Sequence, residues 1–83
     1  MKYRAVVVIE GKRGMLDPEG TTVQRALAQL GFETLSVRST KRLVLELDAI
    51  DAATAKASVE EMCRRLLANP VVQDFTVEVT PSA

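Results

Sequence analysis

Histidine and tryptophan are absent from this 83-residue chain, and cysteine occurs once. That removes imidazole acid–base chemistry, Cys–His nucleophile pairs, disulfides, and zinc sites built from several Cys or His ligands. Aromatic rings are limited to Tyr3, Phe32 and Phe75, so the core has to be aliphatic. Net charge is missing as well, because eleven Lys plus Arg balance eleven Asp plus Glu. A neutral surface lacks the general attraction to nucleic-acid phosphates and anionic membranes. No apolar run reaches the roughly 18 residues of a membrane span, and no basic segment followed by an apolar stretch opens the chain. The expectations are no membrane partner, no nucleic-acid partner and a cytoplasmic location.

What is present, 47% hydrophobic and 27% charged residues, describes one small globular domain over residues 1–83. A chain this short, with no disulfide or metal to brace it, has little stability margin, and self-association is a physical expectation.

Lys2 to Glu10 alternates as a strand, with Tyr3, Ala5, Val7 and Ile9 on one face. Val6 and Val8 make the other face apolar too, which marks them as candidate self-association residues. After the loop Gly11-Lys12-Arg13-Gly14, a helix is predicted with Asp17 as N-cap, Pro18 at its first position and Glu19 at the positive end of its dipole. Val23, Ala26, Leu27 and Leu30 recur at i, i+3, i+4 and i+7 and predict a buried stripe, ended by Gly31. Phe32 to Arg38 and Lys41 to Asp48 alternate again and predict a hairpin whose polar tip is Ser39-Thr40-Lys41-Arg42. Asp51 caps a second predicted helix with the stripe Ala52, Ala55, Val59, Met62, Cys63, Leu66 and Leu67, stopped by Asn69-Pro70. Val71 to Thr80 supplies a last strand. The order β-α-β-β-α-β predicts an α+β fold, ferredoxin-like, with two helices on one face of a four-stranded antiparallel sheet.

Little in the chain carries chemistry. Cys63 lies within an apolar stripe and reads as a buried, inert thiol. Capping accounts for Asp17 and Glu19. Gly11-Lys12-Arg13-Gly14 lacks the spacing with which a phosphate-binding loop wraps its ligand. No catalytic, cofactor-binding or metal-binding residue is expected. The exposed cations Lys12 and Arg13 in the loop, and Arg38, Lys41 and Arg42 at the predicted hairpin tip, are candidate partner contacts. Valines stand where RNA-binding members of this fold class stack bases. A ferredoxin-like regulatory domain that binds a small molecule through backbone amides is the alternative reading.

Gly14-Met15-Leu16-Asp17-Pro18-Glu19-Gly20, Ala26-Leu27, Leu30-Gly31-Phe32, Val37-Arg38 and Met62-Cys63-Arg64-Arg65-Leu66-Leu67-Ala68-Asn69-Pro70-Val71 form a set spread over nearly the whole chain. Together they resemble the PurS family, the small subunit of phosphoribosylformylglycinamidine synthase (FGAM synthase). The family commonly has a glycine where this chain has Thr40. The resemblance implies a non-catalytic bridging subunit, a homodimer or tetramer, in de novo purine biosynthesis. Its partners would be the glutaminase subunit (PurQ) and the ATP-binding synthetase subunit (PurL), between which it would assist ammonia transfer. The complex is a ligase that uses glutamine as amide donor.

Overall fold

Strand β1 (Lys2–Gly11) is the centre of a three-stranded antiparallel sheet in the computed structural model, which describes residues 1–82. Its alternation is the one read from the sequence: Tyr3, Ala5, Val7 and Ile9 are buried on one face, while Val6 and Val8 lie half-buried on the other. Strands β2 (Thr40–Asp48) and β3 (Gln73–Pro81) flank it in the order β2-β1-β3. The register sets Leu45, Ala5 and Val79 in one row and Leu43, Val7 and Val77 in the next. Each row therefore places an aliphatic trio on the inner face.

Between β1 and β2 stands helix α1 (Pro18–Gln29); helix α2 (Ala52–Met62) follows β2 and runs into a π-helical turn, Cys63–Leu67. Asp51 caps α2 by accepting from the Thr54 amide at 2.7 Å, and α2 lies across β1 and β3. Ala55, Val59 and Cys63, spaced by four, are wholly buried, the last two in one cluster with Val7 and its neighbours. The π turn, in which the Ala68 amide donates to the Cys63 carbonyl at 2.9 Å, widens the helix by one residue per turn. It brings Ala68 into the core and leaves Leu66, expected on the buried stripe, 83% exposed. Met62 is also exposed, at 38%.

The predicted four-stranded ferredoxin-like sheet is not formed. Phe32 to Arg38 is not a strand, and the order is β-α-β-α-β. Backbone hydrogen bonding supplies the reason. The Thr34 carbonyl accepts from Gln24 Nε2 of α1, and the Ser39 amide donates to Asp17, so this segment is bonded to the helix before it instead of to a neighbouring strand. It enters β2 directly at Thr40, with no residues left for a reversing turn. The predicted hairpin tip disappears with it. Thr40 pairs with Glu10, Lys41 with Ile9 and Arg42 with Val8, all within the sheet. No residue other than glycine has positive φ among those described, so Thr40 needs no glycine in its place.

The buried stripe expected on α1 is also absent. Only Gly20 of this helix is buried; Val23 and Leu30 are exposed and Leu27 is half-buried. The helix stands off the sheet, and the molecule measures 51 × 29 × 16 Å with a radius of gyration of 16.3 Å. A compact chain of this length has a radius of about 12 Å.

Candidate functional site

The base of α1 is fixed by one carboxylate with three bonds. Asp17 Oδ1 accepts from the Gly20 amide at 2.9 Å, the expected cap, and from the Ser39 hydroxyl at 2.6 Å. Its Oδ2 accepts from the Ser39 amide at 2.7 Å. The Ser39 hydroxyl and the two amides, with the Arg38 charge nearby, hold this carboxyl below its ordinary value of 3.8. Gly20 completes the junction: a Cβ there would lie 2.4 Å from the Val37 carbonyl oxygen, so only glycine allows the first turn of α1 to meet the returning chain. The cap was legible from Asp17-Pro18; the clip to Ser39, 22 positions away, had no local signal.

Far from this clip, the end of α1 closes with the Phe32 amide donating to the Leu27 carbonyl at 2.9 Å and Gly31 to Ala28 at 3.1 Å. Gly31, at φ 93°, supplies the left-handed residue of this closure. Helix and return segment thus form a hydrogen-bonded arm. Its apolar side chains stand in solvent: Leu16 is 94% exposed, Leu30 74% and Phe32 60%, and Leu35 is fully exposed.

The predicted cations fall into two groups. Arg38 donates through Nη2 to the Gly11 carbonyl, which joins it to the Lys12–Arg13 turn. Arg38 and Lys41, together with Ile9, Met15 and Asp17, border an open cleft of about 870 Å³ at the arm's base, while Lys12 and Arg13 lie in the turn just beyond its Gly11 edge. Glu10 and Glu19 share that rim, so the charge is mixed. Arg42 does not join this group: one residue on from Lys41, it lies on the opposite face, in the row of Val8 and Thr76. On that open face Val6, Val8 and Val44 form a small apolar centre bordered by the Arg4–Glu46 ion pair (3.5 Å), Arg42 and Glu78.

Cys63 is fully buried, and burial pushes its thiol up, which keeps it protonated and unreactive. No group of three or more Cys, Asp or Glu side chains is placed to hold a metal ion among the described residues. No helix among them is long and apolar enough to cross a membrane.

An arm of exposed apolar side chains held rigidly at its base, beside a cleft ringed by mixed charge, is the equipment of an assembly subunit. The chain belongs to the PurS family: the family model described as phosphoribosylformylglycinamidine (FGAM) synthase matches residues 4–81. It is 44% identical to the PurS subunit of phosphoribosylformylglycinamidine synthase from Methanocaldococcus jannaschii, over 93% of this chain and 94% of that protein. The corresponding subunit of Methanothermobacter thermautotrophicus is 40% identical over 95% and 94%. Among solved structures, PurS of M. jannaschii superposes with a TM-score of 0.87 at 41% identity, covering 98% of this chain and 99% of that one. A chain in the structure of PurLQS from Thermotoga maritima superposes with a TM-score of 0.87 at 27% identity, covering 96% and 99%. The chain is thus a subunit of FGAM synthase, a glutamine-dependent ligase of purine biosynthesis.

Proposed function

We propose that this chain bridges the glutaminase and synthetase subunits of FGAM synthase in the cytoplasm and helps ammonia pass between their sites. The overall reaction converts formylglycinamide ribonucleotide, glutamine, ATP and water into formylglycinamidine ribonucleotide, glutamate, ADP and phosphate. Amide hydrolysis and phosphoryl transfer belong to the large subunits. The exposed arm carries this reading, because that much apolar surface calls for a protein partner, and a relative of the same shape sits in PurLQS.

The cleft cations Arg38 and Lys41, with Lys12 and Arg13 of the adjoining turn, meet acidic groups of a large subunit, where charges steer encounter more than they tighten it. The open face centred on Val6 and Val8, with Arg42 at its edge, is a self-association contact leading to a homodimer or tetramer. Val6→Asp or Val8→Asp places a charge twice in a two-fold contact, and light scattering should then show smaller particles.

The deciding experiment mixes the cognate synthetase and glutaminase with and without this chain. Glutamine-dependent product formation should be lost in its absence, while product formation from added ammonium salt persists. Full glutamine-dependent activity without the chain overturns the proposal.

A further inference from the structure

Strand β3 has one paired edge and one bare edge. Its bonds to β1 fix which groups face which way. The Lys12 amide donates to the Val72 carbonyl and the Ser82 amide to that of Lys2, so in this register the even-numbered residues of β3 form the bonded pairs. The amides and carbonyls of Phe75, Val77 and Val79 therefore point away from the sheet, where no other group among the described residues meets them. Pro81, with no amide to donate, closes only the far end of this edge. An edge left open in this way is a template for a further strand. Beside it runs a groove of about 460 Å³ between β3 and the start of α2, lined by Ala52, Ala53, Lys56, Val77 and Val79 among others. The two small alanines keep the groove open, and Val77 and Val79 are only half-buried along it. A strand laid against β3 would drop alternate side chains into this space.

The other face of such a strand meets charge of one sign. Asp74 and Glu78 are exposed on the outer face of β3, and neither is ion-paired among the described residues. That charge argues against a second copy as the occupant. Pairing β3 with itself about a two-fold axis sets Asp74 opposite Glu78 when centred on Thr76, and sets two Glu78 side chains opposite each other when centred there. Centred on Val77, it leaves the two Glu78 side chains diagonal. Like charges so placed are destabilising. We propose that the free edge of β3 is a strand-addition site for an extended segment of a large subunit, about five residues long, in which apolar and basic residues alternate. Its apolar side chains lie over Ala52 and Ala53, and its basic ones stand beside Asp74 and Glu78. Main-chain hydrogen bonds to Phe75, Val77 and Val79 then supply affinity, and the alternate side chains supply specificity. Strand addition rests on the reading that the chain bridges the large subunits.

Hydrogen exchange, read residue by residue in the chain alone and in its complex with the cognate synthetase and glutaminase, tests the site. The Phe75, Val77 and Val79 amides should exchange at least roughly tenfold more slowly in the complex. Thr76 and Glu78, already bonded to β1, serve as internal controls and should change little. Ala53→Phe, which fills the groove without touching the sheet's hydrogen bonds, should weaken binding to a large subunit by about tenfold, a loss of the size that one lost anchor causes. Asp74→Lys should slow association severalfold, because it reverses the charge that attracts a basic segment. A complex that forms and needs the chain for glutamine-dependent activity, yet leaves Val77 and Val79 exchanging as fast as in the chain alone, overturns strand addition while bridging stands. Protection of these amides that grows with the concentration of the chain alone gives the edge to a second copy and also overturns it. Unchanged association of Asp74→Lys overturns the basic character of the segment. Failure of any complex to form removes strand addition and the bridging reading together.

Discussion

Helices α1 and α2 start alike and end differently in the molecule. Each has an aspartate N-cap and an apolar stripe at helical spacing. Helix α2 buries Ala55 and Val59 of its stripe, and Cys63 in the turn that continues it, whereas α1 buries only a glycine. The difference lies in what the carboxylates bind. Asp51 bonds only to the first turn of its own helix, so α2 is free to settle on the core. Asp17 also takes the Ser39 amide and hydroxyl, which ties α1 to its return segment and holds it off the sheet. One stripe stabilises the chain, and the other stands in solvent.

The largest change in folding stability should follow a cut into the α2 stripe. Val59→Ala removes two methyl groups from a fully buried site, at a cost of about 2–3 kcal/mol. Urea denaturation followed by circular dichroism gives the number. A loss below about 0.5 kcal/mol would mean that α2 does not anchor the fold.

Next comes Gly20→Ala. The new Cβ meets backbone oxygen at 2.4 Å, so the return segment has to move, and overpacking of this kind costs about 1–3 kcal/mol. Alanine's helical preference over glycine gives back about 0.5–1 kcal/mol. A net loss of about 1 kcal/mol should appear in denaturation, with weaker assembly because the arm is re-aimed. An unchanged midpoint would show that the junction yields freely.

Acid should weaken both caps. Because Asp17 has its folded value lowered beneath 3.8, it contributes stability above that pH, and the contribution is lost as pH falls below about 4 toward the folded value. Asp51, lowered by its bonds to Thr54, behaves in the same sense. Asp17→Asn should flatten part of the decline in denaturation midpoint between pH 5 and pH 2, measured against pH 7 as reference. Asp51→Asn should also flatten the decline, in the same sense, without altering assembly. Identical curves for Asp17→Asn and the parent chain would show that the clip contributes nothing to stability.

Three of the four expected strands, both caps, both helix stops and the buried Cys63 were legible because each rests on local chemistry: alternation for β1, Asp17-Pro18 for a start, Gly31 for a stop. The path of Phe32 to Arg38 was not. Its alternation fits a strand, and only long-range bonds from Gln24 and Asp17 take it elsewhere. The π turn at Cys63 was equally silent, since a one-residue widening leaves no mark on the spacing that precedes it. Periodicity also marks a stripe as needing cover without saying whether the cover lies in the same chain. On α2 it does; on α1 it does not. Of the partner cations, the sequence grouped Arg42 with Lys41 as neighbours on one tip, and the pleat of β2 places them on opposite faces.

The smallest effect on folding should come from α1, and there the contrast between the helices is tested most directly. Leu30 is 74% exposed, so Leu30→Gln should change the stability of the dissociated chain by no more than about 0.5 kcal/mol. Its effect belongs to association instead. A parent chain that docks its arm on the cognate large subunits has a melting temperature that rises with their concentration, because binding favours the folded state by mass action. Leu30→Gln should lose most of that rise while matching the parent at the lowest concentrations. Val59→Ala should show the opposite pattern, with melting temperatures lowered throughout and the slope kept. If Leu30→Gln lowered the melting temperature equally at all concentrations, its stripe would be part of the chain's own core, and the distinction between the two helices would fail.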